Sequence, residues 1–156
     1  MFQTCHGYQL TILFTIRQPK TEDEFRRYYQ LRWQLLRAPW NQPKGSEADE
    51  IEDQCHHLMA VDAADEIIAV ARLQYNSDSE AQLRYMAVGN AYRGRGIGRE
   101  LISAMESHAR IKGVNIIVLD AREPAVGFYR KLGYNVVEKS YLLFDEIQHF
   151  RMSKEL

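Results

Sequence analysis

The sequence predicts an α/β domain built on a mixed β-sheet, and three observations carry that expectation. Short runs rich in Val, Ile, Leu, Tyr and Phe alternate with segments of helical periodicity. In the first half, strand-like runs follow one another across short polar links, as in an antiparallel meander. In the second half they are separated by helices, the arrangement that crossovers between strands require. A chain of 156 residues fits one compact domain, and 1–156 is read as a single unit.

Taken in order, Tyr8 to Ile16 suits a first strand, and Pro19 closes it. Thr21 followed by Glu24 is a capping-box pattern, after which Phe25, Tyr28, Arg32, Leu35 and Leu36 recur at helical spacing until Pro39. Trp40 to Asp53 carries Pro43, Gly45 and a run of acidic residues, so it reads as a loop with one short helical turn. His57 to Val61 and Ile67 to Tyr75 are strands, and the polar link Asp62 to Glu66 makes them a hairpin. Gln82 to Val88 is the next strand. The helix opening at Gly94 has Ile97, Leu101, Met105 and Ala109 on one side and stops at Gly113. Val114 to Leu119 is nearly all apolar, as in a strand buried on both faces. Pro124 starts a short helix bearing Ala125, Phe128, Tyr129 and Leu132, which Gly133 ends. Tyr134 to Phe144 and His149 to Met152 complete a set of about seven strands.

Composition narrows the function classes. Hydrophobic residues make up 46% and charged residues 26%, the balance of a globular protein. Lys and Arg number 20 against 21 Asp and Glu, so the basic excess of a non-specific nucleic-acid partner is missing. No stretch approaches the roughly 20 apolar residues of a membrane span. Two cysteines, Cys5 and Cys55, make neither a disulfide framework nor a metal-ligand pattern. The chain therefore reads as cytoplasmic, with no metal, no nucleic-acid partner and no membrane partner.

The informative segment runs from Val88 to Arg99. Gly94, Gly96 and Gly98 alternate between a strand and a long amphipathic helix, which lets main-chain N–H groups approach a ligand closely. The first N–H groups of a helix lack internal partners, and its dipole favours an anion there. Arg93, Arg95 and Arg99 add positive charge to this phosphate cradle. A P-loop needs Gly-Lys-Ser/Thr, but Arg99 and Glu100 follow Gly98; a dinucleotide fingerprint needs a third glycine where Arg99 stands. On these residues alone, a glycine-rich turn with solvated arginines fits equally well.

A second constellation removes that balance. Arg93-x-x-Gly96-x-Gly98 is followed about thirty residues later by Ala125-x-x-Phe128-Tyr129-x-Lys131-x-Gly133-Tyr134, and the pair resembles the GNAT superfamily of N-acetyltransferases. Within it the chain is most similar to the ElaA-like group, through His57-Leu58, Ala71-Arg72 and Ile147-x-His149-x-x-Met152. Leu31-Arg32-Trp33 through Trp40-Asn41-Gln42-Pro43 also resembles the acetyltransferase half of bacterial acetyltransferase/thioesterase fusions.

The resemblance implies a GNAT-like fold, with helices on both faces of the sheet, and acetyl-CoA as acyl donor. It implies that the main chain of Met86, Ala87 and Val88 bonds the acyl carbonyl and pantetheine arm. It also implies that Arg93, Gly94, Arg95, Gly96, Ile97, Gly98 and Arg99 hold the pyrophosphate. Tyr129 matches the position whose hydroxyl faces the thioester sulfur. Arg122 stands where many members carry Asn, which moves a cofactor contact to Glu123 or a main-chain group.

The implied reaction is direct transfer to a primary amine of a small-molecule or peptide acceptor. It needs a base, because a free amine is mostly protonated at neutral pH. No Asp or Glu lies on Leu83 to Val88, so the candidates are Asp120, Glu123, His57 and His149, and Asp120 joins Tyr129 in the catalytic set. Each has a structural alternative: Asp120 as a loop-fixing carboxylate, the histidines as hydrogen-bonded core residues, Tyr129 as helix packing. Trp33 and Trp40 either wall the acceptor pocket or pack. The acidic loop Glu47, Asp49, Glu50, Glu52 and Asp53 either attracts a cationic acceptor or is merely solvated. A non-catalytic acyl-CoA-binding regulatory module is the alternative function, with DNA binding through Arg93, Arg95 and Arg99 a third. Edge strands such as Tyr134 to Phe144 are where a homodimer would form.

Overall fold

The computed structural model describes residues 12–156. The first strand, β1, is described as Phe14–Arg17, so its expected beginning at Tyr8 to Thr11 lies outside the described residues. There follow α1 (Glu22–Leu36), β2 (His56–Asp62), β3 (Ile67–Tyr75), β4 (Glu80–Val88), α2 (Ile97–Ile111), β5 (Ile116–Arg122), α3 (Val126–Lys131), β6 (Asn135–Leu143) and β7 (Ile147–Glu155). The strands form one seven-stranded sheet in the order β1-β2-β3-β4-β5-β7-β6. Only the β4–β5 pair is parallel, and α2 is the crossover that joins its two strands. No described helix is long and apolar enough to cross a membrane.

Period-two alternation sends the central strands' side chains to two different interiors. Leu58, Ala60, Ala69, Ala71 and Leu73 point to the face covered by α2, where Leu101, Ile102 and Met105 are buried. Each such aliphatic side chain contributes roughly 1.5–3 kcal/mol by leaving water. Met59, Val61 and Val70 point to the opposite face and meet Tyr28 of α1. Helices therefore cover both faces, as the resemblance implied.

The capping box at the start of α1 is present. Thr21 Oγ1 accepts from the Glu24 amide at 3.1 Å, and Glu24 reaches back to the Thr21 amide at 3.4 Å. Arg17 Nη2 also donates to Glu24 at 2.6 Å, and this bond, with the main-chain amides of Lys20 and Thr21, holds the carboxyl at about 2.

The α1 face carries buried charge. Arg32 and Arg72 are both fully buried; their Nη groups donate to Glu52, Asp49, Gln74, the Tyr28 hydroxyl and the Glu47 carbonyl, while each Nε–H has no partner among the described residues. Arg72 reaches Asp49 through bonds of 2.7 and 2.9 Å, a two-pronged pairing that its planar fork favours. The loop between α1 and β2 is thus clamped to the sheet. It holds two 3-10 turns, Ala38–Trp40 and Glu52–Gln54, rather than one, and Asp49 and Glu52 are internal counter-ions rather than a solvated run or a lure for cations. β5 begins later than expected and extends through Asp120 to Arg122, while β7 runs on past Met152 to Glu155. The two pair in register from Ile116↔Glu155 to Arg122↔His149, which lengthens both.

Candidate active site

The site begins where two strands part. β4 and β5 are paired only from Glu80↔Ile116 to Leu83↔Leu119. Beyond Leu83 the edge of β4 that faced β5 is free, and the strand bulges: the register against β3 slips between Val70 and Arg72, and Tyr85 takes φ 51°. A positive φ at a bulky residue is strained and is held by its surroundings. Here the Tyr85 ring has the guanidinium carbons of Arg32, Arg72 and Arg84 at 4.5, 4.7 and 4.9 Å from its centre. The opening forms two adjoining clefts that share Leu36, Met86, Arg122, Ala125 and Tyr129.

The larger cleft, about 660 Å³, lies over the start of α2 and is lined by Met86, Ala87, Val88, Arg93, Gly94, Gly96, Ile97, Gly98 and Arg99. The first main-chain bond of the helix is Glu100 N–H to the Gly96 carbonyl at 3.1 Å. Among the described residues, none accepts from the amides of 94–99, which leaves an anion-binding nest at the positive end of the helix dipole. Gly94 and Gly96 hold φ at 75° and 82°, a turn that side-chain-bearing residues resist. At Gly98 a Cβ would come within 3.0 Å of Met86 Cε and 3.1 Å of Phe128 Cζ, so the missing side chain lets the helix sit against the β4 bulge. Ile97 is core, and only its main chain faces the cleft side. Unpaired amides, flanking arginines and an apolar wall from Leu35 to Trp40 suit a long ligand with a phosphate group and an apolar arm.

Tyr129 stands at the junction, its hydroxyl donating to Met86 Sδ at 3.7 Å. Burial pushes its pKa up to about 12, so the hydroxyl keeps its proton throughout the neutral range.

The smaller cleft, about 250 Å³, is walled by one face of the sheet. Gln82 and Arg84 of β4, Asp120 and Arg122 of β5, and His149 of β7 alternate with residues such as Leu83, Leu119, Ala121 and Met152, which point to the α2 core. Register pairs Asp120 with Arg151 and Arg122 with His149. Asp120 Oδ1 lies 3.2 Å from Arg151 Nε, an ionic contact without hydrogen-bond alignment, so this buried oxygen has an acceptor site open. His149 Nδ1 is 2.9 Å from the Ile147 carbonyl and must be its donor, which leaves the Nε2 lone pair without a partner among the described residues. Tyr141 stacks on the imidazole at 4.5 Å. Burial holds the pKa of His149 below its ordinary value, so it is neutral at pH 7.

The sequence-derived candidates divide three ways. Met86, Ala87, Val88, Arg93, Gly94, Gly96, Ile97, Gly98 and Arg99 come together in the larger cleft, and Asp120 and Tyr129 meet at the smaller one. Arg95 lines a separate hollow with Phe14 and Ile16, and Glu123 is exposed and lines neither cleft. His57 is buried, with Nε2 at 2.6 Å from the Glu52 carbonyl and Nδ1 at 3.1 Å from the Tyr28 hydroxyl, both ring nitrogens engaged inside the α1 face. Trp33 donates to the Gln42 carbonyl and anchors the loop, while Trp40 lines the larger cleft beneath Arg122. Sequence reasoning missed Arg37, Arg84, Tyr85 and Tyr141. A signal existed for the two β4 residues, Arg84 and Tyr85: the alternation of β4 breaks into the apolar run Tyr85-Met86-Ala87-Val88, as a bulge requires.

A mixed seven-stranded sheet, parted between its two parallel strands above a glycine-built helix start, defines an acyltransferase architecture. The chain belongs to the acetyltransferase (GNAT) family, whose description matches residues 25–134. It is 27% identical over 136 residues to the uncharacterized N-acetyltransferase YjcF of Bacillus subtilis, covering 87% of this chain and 96% of that one. The crystal structure of a candidate N-acetyltransferase from Lactobacillus plantarum superposes with a TM-score of 0.81 at 26% identity, over 92% of this chain and 98% of that chain. Escherichia coli ElaA shares the fold, with a TM-score of 0.73 at 20% identity over 92% and 99% of the two chains. Acetyl transfer to an amine is the general chemistry of the family.

Proposed function

We propose that this protein moves an acetyl group from acetyl-CoA to a primary amine by direct transfer, with the donor in the larger cleft and the acceptor in the smaller. The observation that carries this reading is the junction: Tyr129, Met86 and the free edge of β4 lie where the two clefts meet. Acetyl-CoA supplies a thioester whose carbonyl is open to attack by an amine.

In this reading the amides of 94–99, with Arg93 and Arg99, bind the pyrophosphate. The main chain of Met86 to Val88, on the edge turned away from β3, bonds the pantetheine arm and steadies the oxyanion as it forms. Asp120 Oδ1, buried and without an aligned donor, accepts from the substrate ammonium. His149 Nε2 takes a proton from that ammonium, directly or through water, and the nearby Asp120 charge favours its protonated form. As the C–N bond forms and the C–S bond breaks, the nitrogen gives up its second proton through solvent to the departing thiolate, whose sulfur accepts a hydrogen bond from the Tyr129 hydroxyl. A complete proton transfer from a hydroxyl near 12 to a thiolate of ordinary pKa, about 8.5, is uphill by roughly 5 kcal/mol. Stabilising developing charge is therefore its main contribution. The side chains of Arg95 and Glu123, which line neither cleft, are left out of this set.

The test is a screen of primary amines for release of free CoA, with Tyr129→Phe beside the wild type. Turnover that falls roughly a hundredfold in the variant, with unchanged acetyl-CoA affinity, supports transfer. Tight acetyl-CoA binding with no turnover on any amine instead indicates an acyl-CoA-binding module.

A further inference from the structure

Two groups of arginines near the smaller cleft differ in what holds them. Arg32 and Arg72 have their Nη groups taken up by Glu52, Asp49 and neighbouring oxygens. Arg37, Arg84 and Arg122, which line the smaller cleft, each sit against an aromatic ring, and Arg37 is also bonded through Nε and Nη1 to the Ser46 and Leu36 carbonyls, which leaves its Nη2 free. The Arg37 and Arg84 guanidinium carbons lie 5.5 and 4.9 Å from the Tyr85 ring centre, and Arg122 lies 4.7 Å over Trp40. Stacking fixes the plane of a guanidinium while leaving its edge, where the donors are, open to a ligand.

Their charge is also uncompensated. Arg84 has only Asp49 at 3.9 Å, and Asp49 is already bonded twice by Arg72. Arg37 bonds the Ser46 and Leu36 carbonyls, and neither it nor Arg122 makes an ion pair among the described residues. Residues 1–11 contain no Asp or Glu that could supply one. The single carboxylate on the cleft wall, Asp120, is already in contact with Arg151. Burial lowers the pKa of Arg122, and the neighbouring charges of Arg37 and Arg93 lower it further, the strain of crowded like charges. Arg37 and Arg84 do not line the larger cleft, so the donor's phosphates do not explain them.

We infer that the smaller cleft is built for an amine that carries an oxyanion, and that Arg37, Arg84 and Arg122 bind that oxyanion while Asp120 receives the ammonium. The acceptor is a small zwitterion, carboxylate or phosphate at one end and amine at the other. The volume of 250 Å³ equals about eight water molecules, which admits a molecule of that size. The identification of the amine end rests on the proposed acetyl transfer; the oxyanion site does not.

The experiment compares matched amines with acetyl-CoA: β-alanine against β-alaninamide, and phosphoethanolamine against ethanolamine. The wild type should favour the anionic member of at least one pair by about tenfold in kcat/KM, although the amide, with its less basic nitrogen, presents more free amine. The favoured pair tells carboxylate from phosphate. Arg84→Gln and, separately, Arg37→Gln should raise KM for the anionic amine about tenfold, leave the neutral amine unchanged and keep acetyl-CoA affinity. Arg84→Lys should restore part of the loss. Equal rates within both pairs overturn the inference while leaving acetyl transfer standing. If no amine turns over, calorimetric titration of succinate decides. Binding weakened about tenfold in Arg84→Gln or Arg37→Gln keeps the oxyanion site and sinks only the transfer reading. The same isotherm in all three folded proteins overturns the site.

Discussion

The two clefts of this molecule meet at Tyr129 but are made from different parts of the chain. The larger is built of main chain: unpaired amides from 94–99, two glycines at positive φ, and the free edge of β4. The smaller is built of side chains projecting from β4, β5, β7 and the end of α1, all on one face of the sheet. A main-chain site depends on local conformation, and few side chains can change it without blocking it. A side-chain site can be rewritten residue by residue while the sheet stays intact. The first suits a shared acyl donor, the second a particular acceptor.

The sharpest way to break that division is to remove the ion pairs beneath the smaller cleft. Arg72→Leu strands Asp49 and leaves Glu52 to Arg32 alone, and unfolding in urea should show a loss of about 3–5 kcal/mol. Protein that remains folded should still bind acetyl-CoA normally, because no part of the larger cleft uses Arg72. Altered acetyl-CoA affinity would mean that the two sites are not separable.

His149→Gln tests the smaller cleft's chemistry, with an expected fall of roughly a hundredfold in kcat/KM. The wild-type pH profile should sharpen this. The reactive form of His149 is the neutral one, and burial depresses its pKa. Rate should therefore fall as pH drops through an acidic limb whose midpoint lies below 6.5 and which the variant lacks. A limb midpoint above 6.5 would exclude His149 as its source.

A third measurement addresses neither cleft. His56, stacked on His108 at 3.5 Å between ring centres, is held at about 4, first by burial and then by the charges of His108, His57 and Lys112. A depressed histidine gives stability that is present above its unfolded value of about 6.5 and lost as pH falls toward 4. The melting temperature should decline across that window, and less steeply in His56→Gln. Smallest of all, Thr21→Ala should cost about 1 kcal/mol through the lost cap and leave acetyl-CoA affinity and turnover unchanged.

The same division explains what the sequence disclosed. The glycine turn of the larger cleft was legible because Gly94, Gly96 and Gly98 lie close together in the chain and sit at a helix start whose periodicity is strong. The capping box at Thr21 and Glu24 was legible for the same local reason. The composition of the smaller cleft was not, because Arg37, Arg84, Asp120 and His149 meet only after β7 inserts between β5 and β6. The loop carboxylates read as solvated because nothing near them in the chain announces Arg32 and Arg72, separated from Glu52 by 20 residues on either side. Asp120 lies at the wall of the smaller cleft, and only the β5–β7 register discloses its neighbour Arg151.

The most direct test of the donor site is calorimetric titration of acetyl-CoA into the wild type and into Gly96→Glu. The substitution puts a carboxylate into the amide nest at a residue with φ 82°, a backbone cost of about 1–2 kcal/mol that a folded domain can absorb. Single-site binding by the wild type, weakened at least a hundredfold in a folded Gly96→Glu, is the predicted result. Equal affinity in the two proteins, or no binding by the wild type, would contradict the assignment of the larger cleft to acetyl-CoA.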